Sequence, residues 1–337
     1  MSPSHRRTQR TWLTAAGIAA GICGLLGTVA VLPAASGAEA VQVCRATLDG
    51  ETTDTVGSAE ADSALDTAGA YAGPCAEYGP AVKVGNGRMR TYAQFSKGRP
   101  TALGFVFDRT ALTGLPEPHT TDRKDCYDVN GDGRIDPATE CIHHQSYPFD
   151  LPGAYTKKSG PFTWALVNWN AEGHDPQGVY TAPHFDFHFY IQSRKDRDAI
   201  RVGPCAGPGL TNCDDFATAR KPVPAKYTAP DYADFGAVVA KMGNHLIDGT
   251  GPEFHGQPFT KAFLYGNYDG GITFYEPMIT YQWLIDLKPG DKVCTPVKTP
   301  AAFQQAGDYP TSYCAEYRRN GKEMTVSLND FVTRRAG

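Results

Sequence analysis

The sequence predicts a mainly β or α+β fold, an antiparallel sheet built from hairpins with a few short helices and stabilised by disulfides. Three observations carry this. Strand-like runs come in pairs around the turn dipeptides Lys97-Gly98, Asp269-Gly270 and Asn320-Gly321. The segment HFDFHFY, residues 184–190, alternates strictly: Phe185, Phe187 and Phe189 take one face, and His184, Asp186, His188 and Tyr190 the other. Of nine cysteines one, Cys23, falls in an export-like segment, and the other eight suit a disulfide framework.

Residues 1–40 read as a signal peptide or, if uncleaved, an N-terminal anchor. Arg6, Arg7 and Arg10 form a basic start, residues 13–32 an uncharged apolar run, and Ala38-Glu39-Ala40 a cleavage site. The expected location is therefore secreted or cell-envelope, in a bacterium, with membrane contact only if the segment stays on. Without it the chain holds 29 basic and 35 acidic residues, a net charge of −6 that argues against nucleic acid as a partner. Homo-oligomerisation is left open. The cysteines are expected to pair in sequence order: Cys44 with Cys75, Cys126 with Cys141, Cys205 with Cys213, and Cys294 with Cys314.

Along the mature chain, residues 41–80 are small and polar and read as a peripheral, disulfide-tied segment, and 81–337 as a single β-rich domain. Residues 88–96 and 101–107 form the first hairpin, after which Asp108 caps a turn of helix. A strand is expected over 162–169 and another over 184–190. Ser193 and Asp196 then open a short helix, and 203–230, rich in Gly and Pro, reads as a long loop. Asp231, followed by Phe235, Val238, Val239 and Met242 at helical spacing and by Gly243, predicts a helix. Residues 262–268 pair with 272–276. Residues 312–319 pair with 322–328 across Asn320-Gly321, read as a type I′ turn.

The first candidate site is DVNGDGRIDPATE, residues 128–140, inserted at about 120–145. Asp128, Asn130 and Asp132 stand at positions one, three and five of an EF-hand-like calcium loop, with Gly133 at six, the Arg134 carbonyl at seven and Asp136 at nine. Position twelve is Thr139, and Glu140 comes one residue late. An Asx-rich turn that binds nothing is the alternative. A Cys126–Cys141 bridge would staple the loop, removing about 3 kcal/mol of unfolded-state entropy. The following pair, His143-His144, reads as exposed.

The second candidate is a metal or polar site on the hydrophilic face of 184–190. Imidazoles and carboxylates at strand spacing suit a transition metal. His184 and His188, about 13 Å apart on an extended strand, are too distant to share an ion easily. Asp186 with one flanking histidine, together with His245, Glu253 or Glu276, is the more plausible set. The alternative is a hydrogen-bonded ladder with Asp186 between two histidines. No phosphate loop, nucleophile elbow or dinucleotide fingerprint is present.

At NWNAEGHDPQGVYTAPHFDFHFY (168–190) and at GNHLIDGTGPEFHGQPF followed by FLYGNYDGGITFYEPMIT, the chain resembles a bacterial exported domain family of unknown function, typified by a sigma-factor-regulated Thermus protein. The likeness runs from about Val84 to Leu287, with VGNG and ALTGLP as further anchors, and the calcium loop as an insertion. The resemblance implies that His174, His184, Asp186, His188, His245, Asp248, Glu253 and Glu276 lie in signature segments, and supplies no role for them. The expected function is an exported, calcium-binding, non-catalytic envelope or extracellular module. The alternative is a cupin-like metalloenzyme using the strand histidines.

Overall fold

Alternation of large apolar side chains with polar or small ones along most strands divides each sheet into an inner and an outer face, and the inner faces meet. The structure, a computed structural model, describes residues 40–47, 50–67, 69–117, 126–142, 144–158 and 160–337. Residues 1–39, where the export signal is expected, and His143 lie outside the described residues. In chain order the strands are β1 (Ala40–Thr47), β2 (Gly50–Gly57), β3 (Tyr71–Ala72), β4 (Glu77–Val84), β5 (Gly87–Ser96), β6 (Arg99–Asp108), β7 (Gln145–Asp150), β8 (Trp164–Asn170), β9 (His184–Tyr190), β10 (Val202–Cys205), β11 (Tyr232–Val239), β12 (Gly243–Asp248), β13 (Lys261–Tyr268), β14 (Gly271–Thr280), β15 (Lys292–Pro296), β16 (Gly307–Tyr309), β17 (Ser312–Tyr317), β18 (Glu323–Asn329) and β19 (Val332–Arg334).

Two sheets make the body. One is seven-stranded in the order β11-β12-β13-β14-β9-β8-β7, the other six-stranded in the order β15-β17-β18-β6-β5-β4, and their ladders are antiparallel. They pack face to face as a sandwich. Phe105 of β6 reaches across to Phe149, Phe187 and Phe189 at centroid distances of 5.2, 5.4 and 5.3 Å. Phe263 of β13 meets Tyr313 of β17 at 5.4 Å. The expected antiparallel, hairpin-built fold is therefore what the chain adopts.

The peripheral segment forms a small sheet of its own, β2-β1-β3, backed by the helix Ser58–Leu65 over a minor core of Val43, Ala61, Ala64 and Ala70. Its last residues already belong to the sandwich, since β4 begins at Glu77. All four disulfides pair in sequence order: Cys44–Cys75, Cys126–Cys141, Cys205–Cys213 and Cys294–Cys314. Such bridges persist in an oxidising compartment. No helix among the described residues is long and apolar enough to cross a membrane.

Three local expectations are overturned. The helix after Asp231 is the edge strand β11: Asp231 has φ +70°, so it is no helix N-cap, and Gly236 has φ +80° inside a bulge between Asp234 and Ala237. The bulge leaves Phe235 and Gly236 unpaired between Asp234 and Ala237, and it interrupts the ladder in the stretch that carries the helical spacing of Phe235, Val238 and Val239. Asn320-Gly321 is not a type I′ turn. Only Gly321 has positive φ, the ladder stops at Tyr317–Met324, and the turn is closed by Gly321 N–H donating to the Arg318 carbonyl. The expected long loop over 203–230 contains the helix Cys213–Ala219, capped by Asn212, and 3-10 turns at Gly207–Gly209 and Ala225–Tyr227.

The outer face of the seven-stranded sheet is not left to solvent. Every residue of β8 and of β9 is buried. Residues 172–177 and Tyr180, Ala206, Pro208 and Gly209, and Ala138, Ile142 and His144 line a cavity over that face.

Candidate metal centre

β9 sends His184, Asp186 and His188 to the outer face because Phe185, Phe187 and Phe189 are taken by the core. β14 places Glu276 beside His188, since Phe274 pairs with Tyr190 and Met278 with Asp186 on either side. β12 adds His245, which pairs with Gly266 of β13, itself opposite Phe274. Gly266 is required at this point. A Cβ there would stand 2.1 Å from the Phe274 ring, so only glycine lets that ring lie flat enough for His245 to reach past β13 toward Glu276. His174 comes from the loop between β8 and β9.

The side chains gather as two sets of two histidines and one carboxylate. In the first, His188 Nε2 is 3.3 Å from Glu276 Oε1 and His245 Nε2 is 3.7 Å from Glu276 Oε2. In the second, His184 Nε2 is 3.1 Å from Asp186 Oδ1 and His174 Nε2 is 3.8 Å from Asp186 Oδ2. His184 and His188 fall in different sets. The residues divide between two carboxylates: Asp186 lies between His184 and His174, and His188 has turned to Glu276.

Hydrogen bonding fixes which nitrogen is bare. A carbonyl accepts only from N–H, so Nδ1 carries the proton where it meets Asp175 O in His174 (2.7 Å), Ala182 O in His184 (2.7 Å) and Ala237 O in His245 (2.8 Å). The Nε2 lone pairs then face carboxylate oxygens. His184 Nε2, Asp186 Oδ1, both ring nitrogens of His188 and Glu276 Oε2 are buried without a hydrogen-bond partner. Lone pair against lone pair in a buried site calls for a proton or a cation between them. A tetrahedral ion holding N and O ligands at about 2.0–2.1 Å sets them about 3.3 Å apart. The four separations, from 3.1 to 3.8 Å, bracket that value.

Burial disfavours the charged imidazolium at His174, His188 and His245. Burial pulls His174 down to about 4 and His188 to about 3, and also lowers His245. Burial works against an ionised Asp186, but His184, His174 and His188 outweigh it and hold that carboxyl well below the usual range. Glu276 moves the opposite way, pushed well up by burial and by the charge of Asp186. Asn170 donates to Asp186 Oδ2 at 2.7 Å and fixes its plane.

His188, His245 and Glu276 of the first set and His174 and Asp186 of the second line one cavity of about 660 Å³, with His184 buried behind them. Its walls are largely apolar, with Tyr180, Phe235, Val238, Val239, Met242 and Leu264 among them, and its lining contains no lysine or arginine. That is the composition of a small-molecule site. The cavity lies on the outer face of the seven-stranded sheet. His144, set aside in the sequence as exposed, lines the cavity and bears on the charge of His188 and His245.

Glu253 and Asp248 stand outside both sets. Glu253 accepts from the Tyr180 hydroxyl at 3.3 Å, and Asp248 pairs with Lys298 at 2.7 Å. In the loop 128–136, Asp128 accepts the backbone N–H groups of Gly131, Asp132 and Gly133, and Asp132 accepts that of Arg134. Asp136 caps the helix Pro137–Glu140, and the buried Glu140 carboxylate accepts from Val129, Asn130 and Asp136. Glu140 thereby ties the loop to a helix whose residue Ala138 lines the cavity.

No family model, no curated protein and no solved structure matches the chain.

Proposed function

We propose that the protein is an exported metalloprotein whose cavity binds a divalent transition-metal ion on His188, His245 and Glu276 and presents it to a small-molecule ligand. The observation that carries this is the convergence of bare, buried Nε2 and carboxylate oxygens at ligand-to-ligand spacing, with His245 oriented by a backbone carbonyl. Three protein ligands facing a cavity match catalytic rather than structural zinc sites, which are closed by a fourth. A metal bound there would supply Lewis-acid polarisation and an activated water. The apolar walls hold a ligand and exclude bulk water. His144 stands where it can exchange a proton with that ligand.

Metal content tests the reading. Protein purified without chelator is expected to carry near-stoichiometric zinc, manganese, iron or copper by mass spectrometry. A preparation that carries none, and takes none from a buffered series, ends it.

Calcium is assigned a structural part, on the loop of Asp128, Asn130 and Asp132. Gly131 and Gly133, at φ +76° and +82°, let the chain turn tightly around the Asp128 carboxylate. Millimolar calcium is expected to raise the thermal midpoint of the oxidised protein, and Asp128→Ala with Asp132→Ala to abolish the rise. An equal midpoint with and without calcium in the unaltered protein would leave the loop as a turn.

A further inference from the structure

We propose that the cavity floor holds a second divalent ion, on His174, His184 and Asp186, beside the first. The proposal shares the cavity with the reading above but rests on different side chains. His184 is fully buried and Asp186 nearly so, at 4% exposure, yet His184 Nε2 and Asp186 Oδ1 lie 3.1 Å apart without a hydrogen bond. An imidazolium–carboxylate pair would satisfy those two atoms. It would leave His174, whose Nδ1 is spent on the Asp175 carbonyl and whose side chain is 35% exposed, with its Nε2 3.8 Å from Asp186 Oδ2 and no proton between them. One proton bridges one such contact; one cation bridges both.

The neighbours are arranged for an ion as well. Asn170, paired with His184 across the β8–β9 ladder, donates to Asp186 Oδ2 and leaves Oδ1 as the ligand atom. The carbonyls of Asp175 and Ala182 hold the two imidazoles as outer partners hold metal-ligating histidines. Asp186 and His188 are two apart on β9, roughly 6.5 Å along the strand, so the two sets share one face without sharing a ligand. Two histidines and a carboxylate with open positions recur here twice, a donor set suited to zinc or iron(II).

Zinc titration of the chelator-stripped, oxidised protein tests this. The unaltered protein is expected to bind two equivalents, and His184→Ala and Glu276→Gln one equivalent each. Asp186→Asn, which keeps volume and the Asn170 contact, is expected to behave as His184→Ala does, so a folding defect of one variant does not decide the result. Cobalt(II) substitution gives a second readout, a visible absorption that saturates in two steps for the unaltered protein and in one for each variant. A single equivalent that survives His184→Ala and is lost in Glu276→Gln overturns the second site and leaves the first standing. A single equivalent that survives Glu276→Gln and is lost in His184→Ala overturns the pair and the first reading with it.

Discussion

Glu276→Gln is expected to remove nearly all of the stabilisation that binding at the His188–His245–Glu276 set confers. At free zinc 100-fold above the dissociation constant, binding contributes about 2.7 kcal/mol. Outer-partner changes at metal sites typically weaken binding about 10- to 100-fold, so loss of a direct ligand is set at about 100-fold or more. At the same zinc concentration the variant then gains about 0.4 kcal/mol from this set. In chelator the two proteins should differ little. Burial and the nearby Asp186 charge push the Glu276 carboxyl well up, toward the neutral form that glutamine imitates in size and charge. Urea unfolding in zinc and in chelator checks both halves. Zinc stabilisation of equal size in the two proteins would remove Glu276 from the ligand set.

Phe187→Ala carries the other large effect, on the opposite face of the same sheet. Phe187 is completely buried and packs against Phe105 of the facing sheet and Phe185 of its own strand. Emptying that site is expected to cost about 3–5 kcal/mol, a sizeable share of a typical 5–15 kcal/mol stability. Metal affinity should be preserved in whatever fraction stays folded. A loss below about 1 kcal/mol in urea unfolding would mean that the two sheets are not packed through this ring.

The alternation of residues 184–190 made both faces of β9 legible, because a period of two needs no tertiary information. Partner choice was not legible. Whether Asp186 or Glu276 meets His188 depends on the β9–β14 register, and the approach of His245 depends on β12 lying two strands from β14. His245 was nevertheless a candidate, as were His174 and Glu276, because imidazoles and carboxylates near an alternating strand are informative by type alone. Glu253 satisfied the same rule and points elsewhere, toward Tyr180. Asn170 and His144 were missed: amides carry no metal signature, and a histidine beside a turn-rich insertion looks solvated until the chain folds back. The misread helix at β11 shows the limit of periodicity over a short window, since a bulge at Phe235 and Gly236 interrupts the ladder in the stretch that carries the helical spacing.

The cavity is finished by covalent chemistry as well as by packing. The aromatic core joins the two sheets without either small-loop disulfide, but Ala138 of the wall belongs to the segment closed by Cys126–Cys141, and Ala206, Pro208 and Gly209 to the one closed by Cys205–Cys213. Where thiols stay reduced, the sandwich can assemble with these two walls untethered. Under the proposed function, the ion would be taken up where these disulfides form.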